Sequence, residues 1–231
     1  RSRNALLSIS VGAVCFLAGA MLLESLFHQL VFSLVPGIAQ NLVLYCLYGG
    51  LAAGLFEETA RLIGLRYLCK KDASPTTGFA YGVGHGGIEA ILLVGVSVAN
   101  NLVVMIMVNG GSVDALLEGA TDEQASTAMA QLEQLAAQPS SVFLAAGVER
   151  IIAICLHLAL SMLIWMVVTK KLPMWGYPLA IGLHAVSNIA AGLYQFGVIG
   201  IWTSEVITAA VVVCVCLLVR WFYRSRVSAA A

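Results

Sequence analysis

Two adjacent carboxylates and an arginine interrupt a segment, Ile38 to Cys69, that is otherwise largely apolar. They stand in the run Phe56-Glu57-Glu58-Thr59-Ala60-Arg61. A charged side chain near the centre of a bilayer costs about 2.5–3.5 kcal/mol or more, and it persists where it is paired and functional. On a helix Arg61 lies four residues from Glu57 and three from Glu58. It can therefore neutralise one carboxylate and leave the other free to move protons. The plainer reading is a self-neutralised ion pair that only orders its helix.

Three of the four histidines, His85, His157 and His184, also fall in apolar runs. Imidazole transfers protons near neutral pH and ligates metals. Tyr81, His85 and Glu89 recur every four residues, so they share a helix face, and Glu89 is placed to orient His85. His184 and Asn188 share a face in the same way, and both can aim at one atom. Taken singly, each of these histidines is more often a satisfied core residue than a catalyst.

The elements that must position these groups are membrane helices. Of 231 residues 60% are hydrophobic and 10% charged, against about 25% charged in soluble domains. Long apolar runs argue for helices and against a barrel. The formal net charge of zero offers no field for nucleic acid. All six cysteines lie in or at the ends of apolar runs, which predicts free thiols and no disulfide framework. The hydropathy pattern predicts an all-α, polytopic bundle forming a single integral domain over residues 1–231. Its six spans run from about Ala5 to Phe32, Ile38 to Cys69, Thr77 to Val108, Ser141 to Thr169, Trp175 to Tyr194 and Gly200 to Tyr223. Gly78, Gly82 and Gly86 make a ridge of small residues suited to a close helix contact. Residues 112–138 read as an amphipathic connector, with Thr121-Asp122-Glu123-Gln124 fitting a capping box.

The basic residues set an orientation. Arg1 and Arg3, Lys70 and Lys71, Lys170 and Lys171, and Arg220, Arg224 and Arg226 cluster at alternate crossings, while the loops at 33–37, 109–140 and 193–200 carry none. Positive charge marks the cytoplasmic side, which puts both termini in the cytoplasm and the connector outside. Counted from that side, Glu57, His85, His157, His184 and Asn188 lie about 14–21 Å deep, near the bilayer midplane. Agreement in depth across four helices turns scattered polar residues into one expected cavity, open toward the cytoplasm. His28, with Glu24 one turn before it, falls near the outer surface. So do Glu149 and Arg150, which read as an interfacial ion pair.

In their order along the chain, Glu57-Glu58-x-x-Arg61, Tyr81-x-x-x-His85 and His184-x-x-x-Asn188 resemble the type II CAAX prenyl protease (ABI) clan. The agreement is fuller with the bacterial YhfC family of intramembrane metalloproteases. It rests on Leu23-Glu24-Ser25 with His28, Phe56-Glu57-Glu58 with Arg61, Gly84-His85-Gly86-Gly87-Ile88-Glu89, Glu149-Arg150 with His157, and His184 with Asn188. The resemblance covers nearly the whole chain. Two points depart from it. The CAAX motif sets its arginine one residue later than Arg61, and YhfC relatives carry one more N-terminal span than is legible here.

The resemblance implies hydrolysis of a peptide bond in a membrane-embedded or membrane-associated substrate, in a bacterial cytoplasmic membrane. By likeness to the CAAX enzymes, Glu57 and His85 activate water, His184 and Asn188 hold the oxyanion, and Glu58 with Arg61 supports them. The YhfC name implies a second scheme, with His85, His157 and His184 as zinc ligands, a glutamate as base and Glu89 as a supporting partner. The residues leave both schemes open. They contain no His-Glu-x-x-His and no aspartate within a span. Two readings outside catalysis remain: a non-catalytic membrane scaffold or chaperone, and a proton-coupled transporter, which would be expected to show an inverted repeat that the chain lacks.

Overall fold

The structure, a computed structural model, describes residues 2–70, 72–113 and 117–227. Arg1 and Lys71, counted in the charge pattern, and residues 114–116 of the connector lie outside the described residues. Every described regular element is helical. We label the α-helices α1 (Ser2–Phe16), α2 (Ser25–Leu34), α3 (Leu42–Ile63), α4 (Pro75–Ala90), α5 (Val96–Asn109), α6 (Asp122–Ala137), α7 (Ser140–Val168), α8 (Gly176–Ser187), α9 (Ile189–Gln195) and α10 (Ile201–Arg226). Wider π-helical turns at Leu17–Glu24 and Ile91–Gly95 join α1 to α2 and α4 to α5 without breaking the rod, and a third, Gly64–Leu68, extends α3.

Four helices are long and apolar enough to cross a membrane: Asn4–Leu34, Pro75–Asn109, Ser140–Val168 and Ile201–Arg226. The other two expected crossings differ for physical reasons. The 22 residues of α3 suffice in length, but Glu57, Glu58 and Arg61 dilute their hydropathy. The span from Trp175 to Tyr194 is divided at Asn188 into α8 and α9. Thr121 and Gln124 form the capping box at the start of α6.

Helix α7 is the centre of the bundle. Its C-terminal half, from Leu156 to Val168, supplies much of the apolar core, and α3, α4, α8 and α10 pack around it. Small residues let the helices approach. A methyl group added at Gly78, Gly82 or Gly86 would press into α7, so the ridge faces that helix. On the other side of α4, a Cβ at Gly84 would sit 1.9 Å from the Ile9 carbonyl oxygen of α1. Gly50 and Gly54 of α3 meet the Ala185 and Ile181 carbonyls of α8 in the same manner. Glu58, one turn beyond Gly54, is thereby carried to α8. Close backbone contact of this kind places short polar side chains from neighbouring helices within bonding distance of one another.

Candidate active site

Each polar residue of α3 has a separate neighbour. Glu58 and Arg61 are completely buried and pair at 2.9 Å. Glu58 Oε1 also meets His184 Nδ1 of α8 at 2.9 Å. Arg61 extends to α7, where one terminal nitrogen donates to the His157 carbonyl oxygen at 2.9 Å and to Ser161 Oγ, and the other donates to His157 Nδ1 at 2.9 Å. Glu57 faces the other way. Its Oε2 lies 2.9 Å from His85 Nε2 and 3.8 Å from His157 Nδ1, and its Oε1 lies 3.8 Å from His184 Nε2. Of the α3 pair, Glu57 is the carboxylate left free of the arginine.

Glu89 departs from the expected role. It does not orient His85; its Oε2 meets His157 Nε2 at 2.5 Å, and its Oε1 accepts from Arg150 at 2.8 Å. Arg150 also pairs with Glu149, so this ion pair is the outer end of the site's network and not an isolated interfacial feature. The signal for this was Arg150 lying seven residues, two helical turns, before His157.

A guanidinium only donates, so the Arg61 contact fixes a proton. His157 Nδ1 accepts, and the neutral ring carries its hydrogen on Nε2, the nitrogen 2.5 Å from Glu89 Oε2. Nδ1 of His85, in contrast, is buried with no hydrogen-bond partner. Charge counting adds a demand. Glu57, Glu58 and Glu89 are buried with Arg61 and Arg150 as the neighbouring guanidiniums, which leaves one negative charge to be met by a proton or a metal ion.

One ligand atom from each of Glu57, His85, Glu89 and His157 can be chosen so that all lie within 4.8 Å of one another. Two imidazoles and two carboxylates are zinc donors, and bonds of about 2.1 Å set tetrahedral ligands about 3.4 Å apart. The quartet is thus a slightly open version of a zinc site, and the surplus negative charge suits a cation. This quartet differs from the expected ligand set of His85, His157 and His184. His184 is held by Glu58 across the site, and two carboxylates join His85 and His157.

Asn188 is not drawn into this cluster. It ends α8 and lines a separate cleft with His28, Tyr45 and Tyr48. That cleft lies near the 35–41 and 196–200 loops, and another pocket, lined by Arg66, Lys170, Lys171 and Arg226, lies at the basic end. His28, expected with Glu24, bonds it at 3.1 Å and also meets Tyr48 Oη at 2.6 Å.

Among known proteins, the chain is 36% identical over 192 residues to the uncharacterized membrane protein YhfC of Bacillus subtilis strain 168, covering 82% of this chain and 73% of that protein. No solved structure matches it. Residues 3–226 match the family described as YhfC intramembrane metalloprotease. The buried Glu/His cluster is compatible with a metal ion, and this chain belongs to the YhfC intramembrane metalloprotease family.

Proposed function

We propose that the protein is an intramembrane protease that hydrolyses a peptide bond at Glu57. The observation that carries this is the buried quartet of Glu57, His85, Glu89 and His157 on three helices. Assembling it with Glu58 and His184 places six ionisable groups and two arginines in a buried cluster, a cost that a scaffold or a plain ion pair does not need to bear. We also propose six crossings, with α3 and α8–α9 added to the four long helices. Both termini then lie in the cytoplasm of a bacterial cell, and residues 112–138 lie outside. The substrate is a membrane-embedded or membrane-associated polypeptide; nucleic acid has no place in this reading.

The chain's own groups divide the work. Glu57 is the free carboxylate of its pair, and His85 holds its Oε2, so Oε1 remains to take a proton from water. His184, locked on Nδ1 by Glu58, presents Nε2 toward the same carboxylate and toward the position of a developing oxyanion. Asn188 contributes from the cleft side of that helix, where a relation to the CAAX prenyl proteases would place the second oxyanion donor. Arg61 fixes Glu58 and His157, and Glu89 with Arg150 holds the far side of His157. Zinc, held by the quartet, would supply Lewis acidity and a water of lowered pKa. As a neutral ligand through Nε2, His157 would carry its hydrogen on Nδ1, and the Arg61 nitrogen now donating there would have to move.

The test is turnover of a detergent-solubilised peptide by the purified protein before and after chelation, with metal content measured in parallel. Activity lost on chelation and restored by zinc, but not restored in His157→Ala, is the expected result. Full activity after verified metal removal would overturn the metal assignment. A Glu57→Gln protein that still cleaves would overturn the protease reading itself.

A further inference from the structure

Outside the buried quartet, polar groups line several clefts among the described residues: a basic one with Arg66, Lys170, Lys171 and Arg226, an amide-rich one with Asn100, Asn101 and Gln131, and one near the 35–41 loop ordered by side-chain hydrogen bonds. The last, a cleft of about 260 Å³, lies between α2, α3 and α9, lined by His28, Tyr45, Tyr48, Asn188 and Gln195 among others. Among the described residues no Lys, Arg, Asp or Glu lines it. Its wall is ordered by paired polar groups: His28 bonds Tyr48 and Glu24, and Tyr45 donates to Gln195. Asn188 makes no side-chain hydrogen bond among the described residues.

The cleft ends one to two helical turns short of the inner cluster. Asn188 is one turn from His184, and Gly50, on its floor, is two turns from Glu57 and Glu58. On the α2 side, Gly19 packs against Phe56 and Ala60. Glu24 lies five residues from that contact, about 7.5 Å toward the cleft. It therefore stands between the level of Glu57 and the cleft mouth. Glu24 is only 7% exposed, and its Oε2 is buried with no partner. A buried carboxylate oxygen without a donor is costly unless water or a ligand reaches it.

We propose that this cleft is the entry through which water and an uncharged, extended peptide segment reach Glu57 from the extracytoplasmic side. The proposal rests on the protease reading and adds the side of entry and the chemistry of the substrate. The lining selects for neutrality: a charged side chain would meet no counter-charge, and burying it unpaired is unfavourable. Backbone amides need a donor and an acceptor together, and the Asn188 carboxamide offers both. Aromatic walls from Phe32, Tyr45 and Tyr48 suit apolar side chains on either side of that contact.

Cys46 lines the cleft and is a native probe. In a protein with Cys46 as its sole cysteine, a membrane-impermeant thiosulfonate should label it in right-side-out vesicles and not in inverted ones. A plug is available at Gly49, which lines the cleft and where an added Cβ meets no atom within 4 Å. Gly49→Leu should keep the fold, slow Cys46 labelling, and lower kcat/KM by at least about tenfold. Gly182→Leu, at an equally open position on α8 away from the cleft, should change neither. Cys46 labelled from neither side, or from the cytoplasmic side alone, overturns the route. So does a folded Gly49→Leu protein that cleaves like wild type. Labelling needs no turnover: if the wild type cleaves nothing while Cys46 labels from outside, the protease reading fails, and the peptide with it as occupant, but the water route stands.

Discussion

The molecule holds two polar clusters one or two helical turns apart, and they are built by opposite rules. In the inner one, Glu58, Arg61 and His85 are wholly buried, and each carboxylate of Glu57, Glu58 and Glu89 meets a histidine or an arginine. In the outer one, His28 keeps 30% of its side chain exposed, Tyr48 and Asn188 are half-buried, and the links are hydrogen bonds around a cleft. Charge is tolerated inside because neighbours on α4, α7 and α8 compensate it. Neutral polarity suffices outside because water reaches it. The inner cluster should therefore be stiff and intolerant, and the outer one adaptable.

Seven substitutions break or sharpen that contrast. Glu57→Gln keeps size and removes the base, so turnover should fall by about 10²–10⁴-fold while the unfolding midpoint in detergent holds; His28→Gln should cost far less turnover. Arg61→Ala strands Glu58 in the core, and a loss of about 3–5 kcal/mol is expected in chemical denaturation. If Arg61→Ala is no worse than His28→Ala, the clusters do not differ as described. Gly84→Ala puts a Cβ 1.9 Å from the Ile9 carbonyl oxygen and should destabilise by about 1–3 kcal/mol. Gly49→Ala, facing open space, should stay within about 0.5 kcal/mol of wild type. Tyr48→Phe removes one partly exposed hydrogen bond, with an expected cost of at most about 1.5 kcal/mol by the same measurement.

Much of this was legible before any coordinates. Helical class, membrane character and the Glu57, Glu58 and Arg61 cluster follow from apolar runs interrupted by charge. Periodicity marked the face of Tyr81, His85 and Glu89, and the Gly78, Gly82 and Gly86 ridge. Hydropathy read the region from Trp175 to Tyr194 as one span, because Asn188, where α8 ends, is a single polar residue in an apolar run and says little about backbone continuity. Depth counting brought His85, His157 and His184 to one level, but depth is a single coordinate. It carries no information on which way each helix is rotated, and rotation gave Glu89 to His157 and His184 to Glu58.

By itself the sequence determined which residues had to be buried together, since charged and polar groups inside apolar helices are stable only in one another's company. The tertiary structure alone decided their partners. Hydrogen bonds and metal ligation depend on ångström distances between side chains on different helices. Those distances are set by which glycines let two backbones touch: Gly82 and Gly86 against α7, and Gly50 and Gly54 against α8. A one-residue turn of α3, α4 or α7 would keep every depth and hydropathy value and dissolve the quartet.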